Sequence, residues 1–166
     1  MKGPRIVKRK SINTEKDPYL LKLSPGDMAL CRKCGAMYHG KRWSIGAKAP
    51  AITEGKKRVS VLCPACQKIK DNFPEGYVTI QGAFVKTHKD EILNIIKNKE
   101  KIAMRHNPLD RIIGINEKRG VIEVTTTTEK LAQRIGQIIG KAFGGDVEYK
   151  WSSDVKLARV VWTREA

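Results

Sequence analysis

Residues 31–67 read CRKCGAMYHGKRWSIGAKAPAITEGKKRVSVLCPACQ and contain every cysteine of the chain. Cys31 and Cys34 form one CxxC pair, and Cys63 and Cys66 form a second. Such a pair bites one metal ion from a tight backbone knuckle. Two pairs supply the four soft ligands of a closed tetrahedral zinc site. Pro64 stiffens the second knuckle, and Gly35 lets the chain swing back under the metal after the first. The expectation is one structural Zn²⁺ per chain, held by Cys31, Cys34, Cys63 and Cys66. His39 lies between the pairs, but four thiolates already fill the site. A closed four-thiolate centre keeps no open position for a substrate, so the sequence reads as a binding protein and not as an enzyme.

Charge points the same way. The chain carries 33 Lys and Arg against 17 Asp and Glu, a net +16 with a pI near 9.9. Residues 1–27 contribute 7 basic and 3 acidic side chains, residues 28–70 contribute 10 and 1, and residues 71–166 contribute 16 and 13. The cysteine segment alone therefore supplies +9 of the +16. A solubility device would spread its charge. Concentration on one small module suits a polyanionic partner, of which nucleic acid is the commonest. No apolar run is long enough to cross a membrane, and the first twenty residues lack a signal-peptide core. The expected location is the cytoplasm, where paired cysteines are metal ligands rather than disulfides.

Three regions follow. Residues 1–27 form a basic N-terminal arm, with Arg5, Lys8, Arg9 and Lys10 as phosphate contacts. Residues 28–70 form the four-cysteine, zinc-ribbon-like module. The 28 residues between its pairs mix cations with aromatics: Lys41, Arg42, Trp43, Lys56, Lys57 and Arg58 are the candidate RNA contacts. Arg and Lys meet phosphates there, while Trp and Tyr stack on unpaired bases. One of Tyr38 and Trp43 is expected to cover the metal instead, because so small a module needs some apolar cover.

Residues 71–166 read as a ferredoxin-like βαββαβ domain with one extra strand, giving an α+β chain overall. Tyr77 to Val85 alternates as a strand. His88 to His106 is an amphipathic helix with Ile92, Ile95, Ile96, Ile102 and Met104 near one side, stopped by Asn107-Pro108. Arg111–Asn116 and Val121–Thr126 are strands joined by a charged turn. Thr127 or Thr128 caps a helix whose Leu131, Ile135, Ile138, Ile139 and Ala142 recur at i, i+4, i+7, i+8 and i+11. Gly136 and Gly140 in that helix permit close packing against a sheet. Gly144-Gly145 ends it. Two strands around Val147–Trp151 and Leu157–Thr163 close the domain, with Trp151 and Trp162 as packing residues. The sheet face without helices is free for RNA or protein. No catalytic constellation emerges. His39, His88 and His106 are scattered, and no phosphate-binding glycine loop occurs.

The segments CRKCGAMYHGKRWS, VLCPACQKIKDNFPEGYVTIQG, RHNPLDRIIGI and TTTTEKLAQRIGQIIGKAFGGDVEY resemble a group of short archaeal and bacterial CxxC proteins. That group is similar to a shortened form of the nonsense-mediated-decay protein three family, the export adaptor of the large ribosomal subunit. Its members are described as affecting ribosome stability and mRNA decay. The resemblance covers residues 28–166 and implies the four cysteines as zinc ligands. It also implies the ribosome or ribosomal RNA as partner, with ribosomal proteins as further contacts. The larger family has more CxxC pairs and further domains, so a nuclear-export role is not implied. The resulting expectation is a monomeric, zinc-stabilised ribosome-binding or rRNA-binding factor acting on the large subunit in assembly, stability or dormancy. The rival is a zinc-ribbon adaptor for protein or duplex DNA, as in transcription.

Overall fold

The cysteine segment and the following hundred residues build two separate sheets joined by one short helix. The structure, a computed structural model, describes residues 18, 19, 23, 26–46 and 58–166. The candidate contacts Arg5, Lys8, Arg9, Lys10, Lys56 and Lys57 lie outside them.

The first sheet holds β1 (Met28–Cys31), β2 (Met37–His39), β3 (Arg42–Ser44) and β4 (Arg58–Val61), in the order β3-β2-β1-β4. The β2–β3 hairpin closes on Gly40 and Lys41, both left-handed (φ 57° and 65°). Two residues with positive φ give the mirror-image turn whose twist matches the strands. Glycine accepts that backbone freely, whereas Lys41 holds it at a steric cost of about 1 kcal/mol. Strand β4 pairs with β1 in parallel, from Met28 opposite Arg58 to Cys31 opposite Val61.

Helix α1 (Pro64–Asp71) follows at once. Cys63 is its N-cap and Pro64 its first residue, a position where the missing N–H costs nothing. The sequence reading placed a knuckle here. The backbone is instead the first turn of a helix, because a side-chain acceptor followed by proline is a helix start.

The second sheet contains β5 (Gly76–Gln81), β6 (Ile112–Lys118), β7 (Val121–Thr126), β8 (Asp146–Trp151) and β9 (Ala158–Thr163), in the order β6-β7-β5-β9-β8. Helices α2 (Ala83–His106) and α3 (Glu129–Phe143) pack through one buried cluster that includes Val78, Ile80, Ile92, Ile96, Ile122, Val124, Ile135, Ile139, Val160 and Trp162. The element order is β-α-β-β-α-β plus one strand. The pairing has a different arrangement from a ferredoxin-like sheet, where the strand after the second helix would lie antiparallel beside the first. Here that strand, β8, sits at the edge, and the chain returns as β9, parallel to β5, between the two.

Three local expectations change. The strand read over 77–85 stops at Gln81, because Gly82 turns the chain (φ 111°) against the carbonyl of Arg164. A Cβ at Gly82 would lie 2.0 Å from that oxygen. Phe84 and Val85 are already helical, and the expected helix start at His88 is a kink (φ −122°) where its ring stacks on Phe84 at 3.7 Å. On α2 the buried stripe runs Ile92, Ile96, Ala103, while Ile102 is exposed. Ala103 falls seven residues after Ile96 and returns to the same face; Ile102 falls beside it.

Helix α3 matches its pattern more closely. Leu131, Ile135 and Ile139 are fully buried, Ile138 is half-buried, and only Ala142 in the last turn is exposed. Thr128 Oγ1 caps it by accepting from the Leu131 N–H at 3.2 Å. A Cβ on Gly136 would meet Val160 Cγ1 at 2.5 Å, so the helix lies directly on β9. Trp162 is buried and donates its indole N–H to the Gly144 carbonyl at 2.7 Å. Trp151 stacks on Tyr149 at 5.9 Å while staying partly open. Among the described residues, no helix is long and apolar enough to cross a membrane.

The threonine run joins the two halves. Thr127 Oγ1 donates to the Leu109 carbonyl at 2.6 Å and accepts from the Arg111 N–H at 2.9 Å. Thr128 Oγ1 donates to buried Asp110 at 2.7 Å. Lys68 of α1 donates to the Thr127 carbonyl at 3.2 Å and pairs with Glu75 at 2.8 Å. Ahead of the first sheet, Tyr19 packs on Phe73 at 5.2 Å, donates to Asp71 at 3.1 Å and lies under the Lys68 ammonium.

Candidate metal centre and the cationic cleft beside it

Parallel pairing of β1 with β4 sets the metal centre. It brings Cys31, the last residue of β1, level with Val61, so the chain enters α1 beside the first knuckle. The Arg32 N–H donates to the Val61 carbonyl at 2.9 Å and ties the knuckle to that entry. The knuckle closes through Gly35, left-handed at φ 78°, whose N–H donates to the Cys31 carbonyl at 3.0 Å. Cys63 and Cys66 then come from the cap and first turn of α1.

The four Sγ atoms lie within 4.8 Å of one another, and none is in a disulfide. Cys34 and Cys63 are 3.7 Å apart. A tetrahedral ion with metal–sulfur bonds of about 2.3 Å requires sulfurs about 3.8 Å apart, so the cluster fits a metal ion after small adjustments. Backbone donors already serve these sulfurs. The Cys63 N–H donates to Cys31 Sγ at 3.3 Å, the Cys66 N–H to Cys63 Sγ at 3.4 Å, and the Ala36 N–H to Cys34 Sγ. Such bonds hold each ligand in orientation.

Crowding four thiols splits their acidities. A hydrogen bond from Cys63 pulls the Cys34 thiol down to about 5, making it the readily formed thiolate of the set. That same bond, with burial, pushes Cys63 far up. Burial pushes Cys66 up to about 11. The module's small buried cluster consists of Cys31, Ala36, Cys63, Ala65 and Cys66, with Cys34, Trp43, Leu62 and Leu109 against it. Met28, Ala29 and Met37 are buried in the same sheet, so the ligands form a large share of the module's interior and not all of it.

Trp43 is the aromatic that covers the centre. It packs against the cysteines with Tyr38 tilted on it at 5.4 Å. Trp43 also lines a cleft of about 660 Å³ that continues into the second half of the chain. His39, Lys41, Arg42, Trp43 and Ser44 form one wall, and His106, Asn107 and Leu109 at the end of α2 form the other. Among the described residues no carboxylate lines it. From sequence His39 is notable only as a possible ligand, and the end of α2 carries no site signal beyond the basic Arg105-His106 before Asn107-Pro108. Nothing in the sequence places that pair against residues more than sixty positions earlier.

Arg58 starts β4 on the far edge of the first sheet from Arg42, roughly 14 Å away across three strand spacings, so the two serve different edges. Between residues 28 and 70 the described residues include no Asp or Glu, while Arg32, Lys33, Lys41, Arg42, Arg58 and Lys70 are all exposed. Searches against protein-family models, curated proteins and solved structures return no match.

Proposed function

We propose that this chain is a zinc-stabilised RNA-binding factor that acts on the ribosome, on the large subunit, without chemistry of its own. Zinc is the ion that suits a closed set of four thiolates. The observation that carries the reading is the surface around the metal cluster: six exposed cations and no carboxylate among its described residues. A module whose interior is built largely around the ligand cysteines gains its order from the metal, and that order fixes those cations relative to one another. Phosphate binding follows by counterion release, which gives affinity without sequence selection. Four thiolates gathered on one ion would leave it no open coordination position, which favours binding over turnover. The step from RNA to ribosomal RNA rests on the resemblance of residues 28–166 described above. The C-terminal sheet domain then positions the module or meets ribosomal protein.

Competition tests the reading. Labelled ribosomal RNA bound to the metal-loaded chain should be displaced by unlabelled ribosomal RNA and poorly by duplex DNA, and binding should weaken steeply with salt. Duplex DNA competing as well as ribosomal RNA would transfer the chain to the transcription-type adaptor reading.

A further inference from the structure

The cleft between the β2–β3 hairpin and the end of α2 has two walls of different composition. On one side stand Lys41 and Arg42 at the hairpin tip, with His39 opposite Arg42 in the register and Trp43 beside it. On the other, α2 ends at His106 and Asn107. The last turn of α2 is basic, with Arg105 and His106, and the Asn107 carbonyl and Oδ1 already accept from the Asp110 and Leu109 N–H groups. The first wall therefore attracts phosphate, and the second offers the His106 ring and the Asn107 amide N–H groups to a base edge. A nucleotide carries both partners: an anion at one end and a hydrogen-bonding base at the other. The volume, about 660 Å³, lies in the range of clefts that enclose small ligands.

Duplex nucleic acid offers such a cleft only its backbone, because its bases are stacked away. An unpaired nucleotide offers both ends and a ring face for Trp43. The backbone of Lys41 adds a separate indication. The turn would form more easily with glycine at that position, yet a lysine occupies its left-handed site (φ 65°). The lysine places a cation at the hairpin tip, where it lines the cleft.

We propose that this cleft binds one unpaired nucleotide of single-stranded RNA, with its phosphate at Lys41 and Arg42 and its base between Trp43 and the end of α2. This rests on the RNA-binding reading above and narrows it. Phosphate contacts around the module give affinity for any RNA, and the cleft adds preference for unpaired segments.

The test uses the full, metal-loaded chain and a short oligoribonucleotide carrying iodouridine, as a single strand and annealed to its complement. Photocrosslinked peptides are mapped by mass spectrometry. The expected crosslinks fall in residues 39–44 and 104–109, with the single strand bound more tightly than the duplex. The paired variant Lys41→Gly with His106→Ala touches no cysteine. It should lower single-strand affinity about tenfold while changing duplex affinity much less. RNA binding with crosslinks confined to other segments, or an equal loss for both probes, overturns the cleft and leaves the RNA-binding reading standing. No binding of either probe at low salt removes both.

Discussion

Lys68 and Glu75 form an ion pair at 2.8 Å, with both side chains about nine-tenths buried, between helix α1 and the start of the second sheet. Lys68 also donates to the Thr127 carbonyl and lies 5.6 Å from the centre of the Tyr19 ring. One ammonium thus ties the metal-bearing helix to the sheet domain and to the chain ahead of the module.

Removing one partner of such a pair leaves the other charged and buried. Lys68→Met is expected to destabilise the chain by about 3–5 kcal/mol, and the double variant Lys68→Met with Glu75→Leu by clearly less. Denaturant unfolding of the three proteins measures this. A single variant as stable as the native chain would show the pair to be solvated.

Metal removal should act on one half only. Cys31→Ser or Cys66→Ser removes a ligand from a cluster that is also a large share of the module's interior, so residues 28–70 should become protease-sensitive with loss of bound zinc. The second sheet has its own buried cluster from Val78 to Trp162 and should stay resistant. Limited proteolysis with mass spectrometry reads both. A variant that loses zinc but keeps the native cleavage pattern would contradict a structural metal.

Zinc affinity should fall with acid. In the metal-free chain at neutral pH, Cys63 and Cys66 hold their protons because their acidities are shifted upward, whereas Cys34 at about 5 is already ionised. Metal entry must expel the protons that these thiols retain. Affinity therefore falls as the pH falls, and more steeply once Cys34 protonates near pH 5. Calorimetric titrations in buffers of different ionisation heat count the released protons. Release of none would contradict the assignment.

Lys41→Gly relieves the left-handed backbone at the hairpin tip and should stabilise the chain by about 0.5–1 kcal/mol, while RNA affinity falls. Thermal unfolding and RNA titration of the same variant check the opposed signs. Loss of both stability and affinity would make Lys41 a structural residue.

The second half shows what a sequence displays and what it hides. Helix α3 was legible because Leu131, Ile135 and Ile139 repeat at the helical period and Thr128 supplies a cap, both local properties. Gly136 was legible as a packing residue for the same reason, and Gly136→Ala should cost about 2 kcal/mol net of its better helix propensity, since its Cβ meets Val160. The position of β9 between β5 and β8 was not legible, because periodicity gives a strand its faces but not its neighbours. The four ligands were legible from spacing alone. That two of them sit on a helix was hidden by its length of eight residues, too short for a period to declare itself. The cleft was hidden altogether, since its walls come together through tertiary packing such as that of Leu109 against the cysteine cluster.

The central claim is that metal-ordered cations bring this chain to ribosomal RNA. Co-sedimentation tests it most directly: the metal-loaded chain and its Cys66→Ser variant are each layered with purified ribosomes on sucrose gradients at low and high salt. The account predicts that the native chain travels with the large subunit at low salt and leaves it at high salt, and that the variant associates far less. A native chain that stays at the top of the low-salt gradient while the ribosomes run below it would contradict the account.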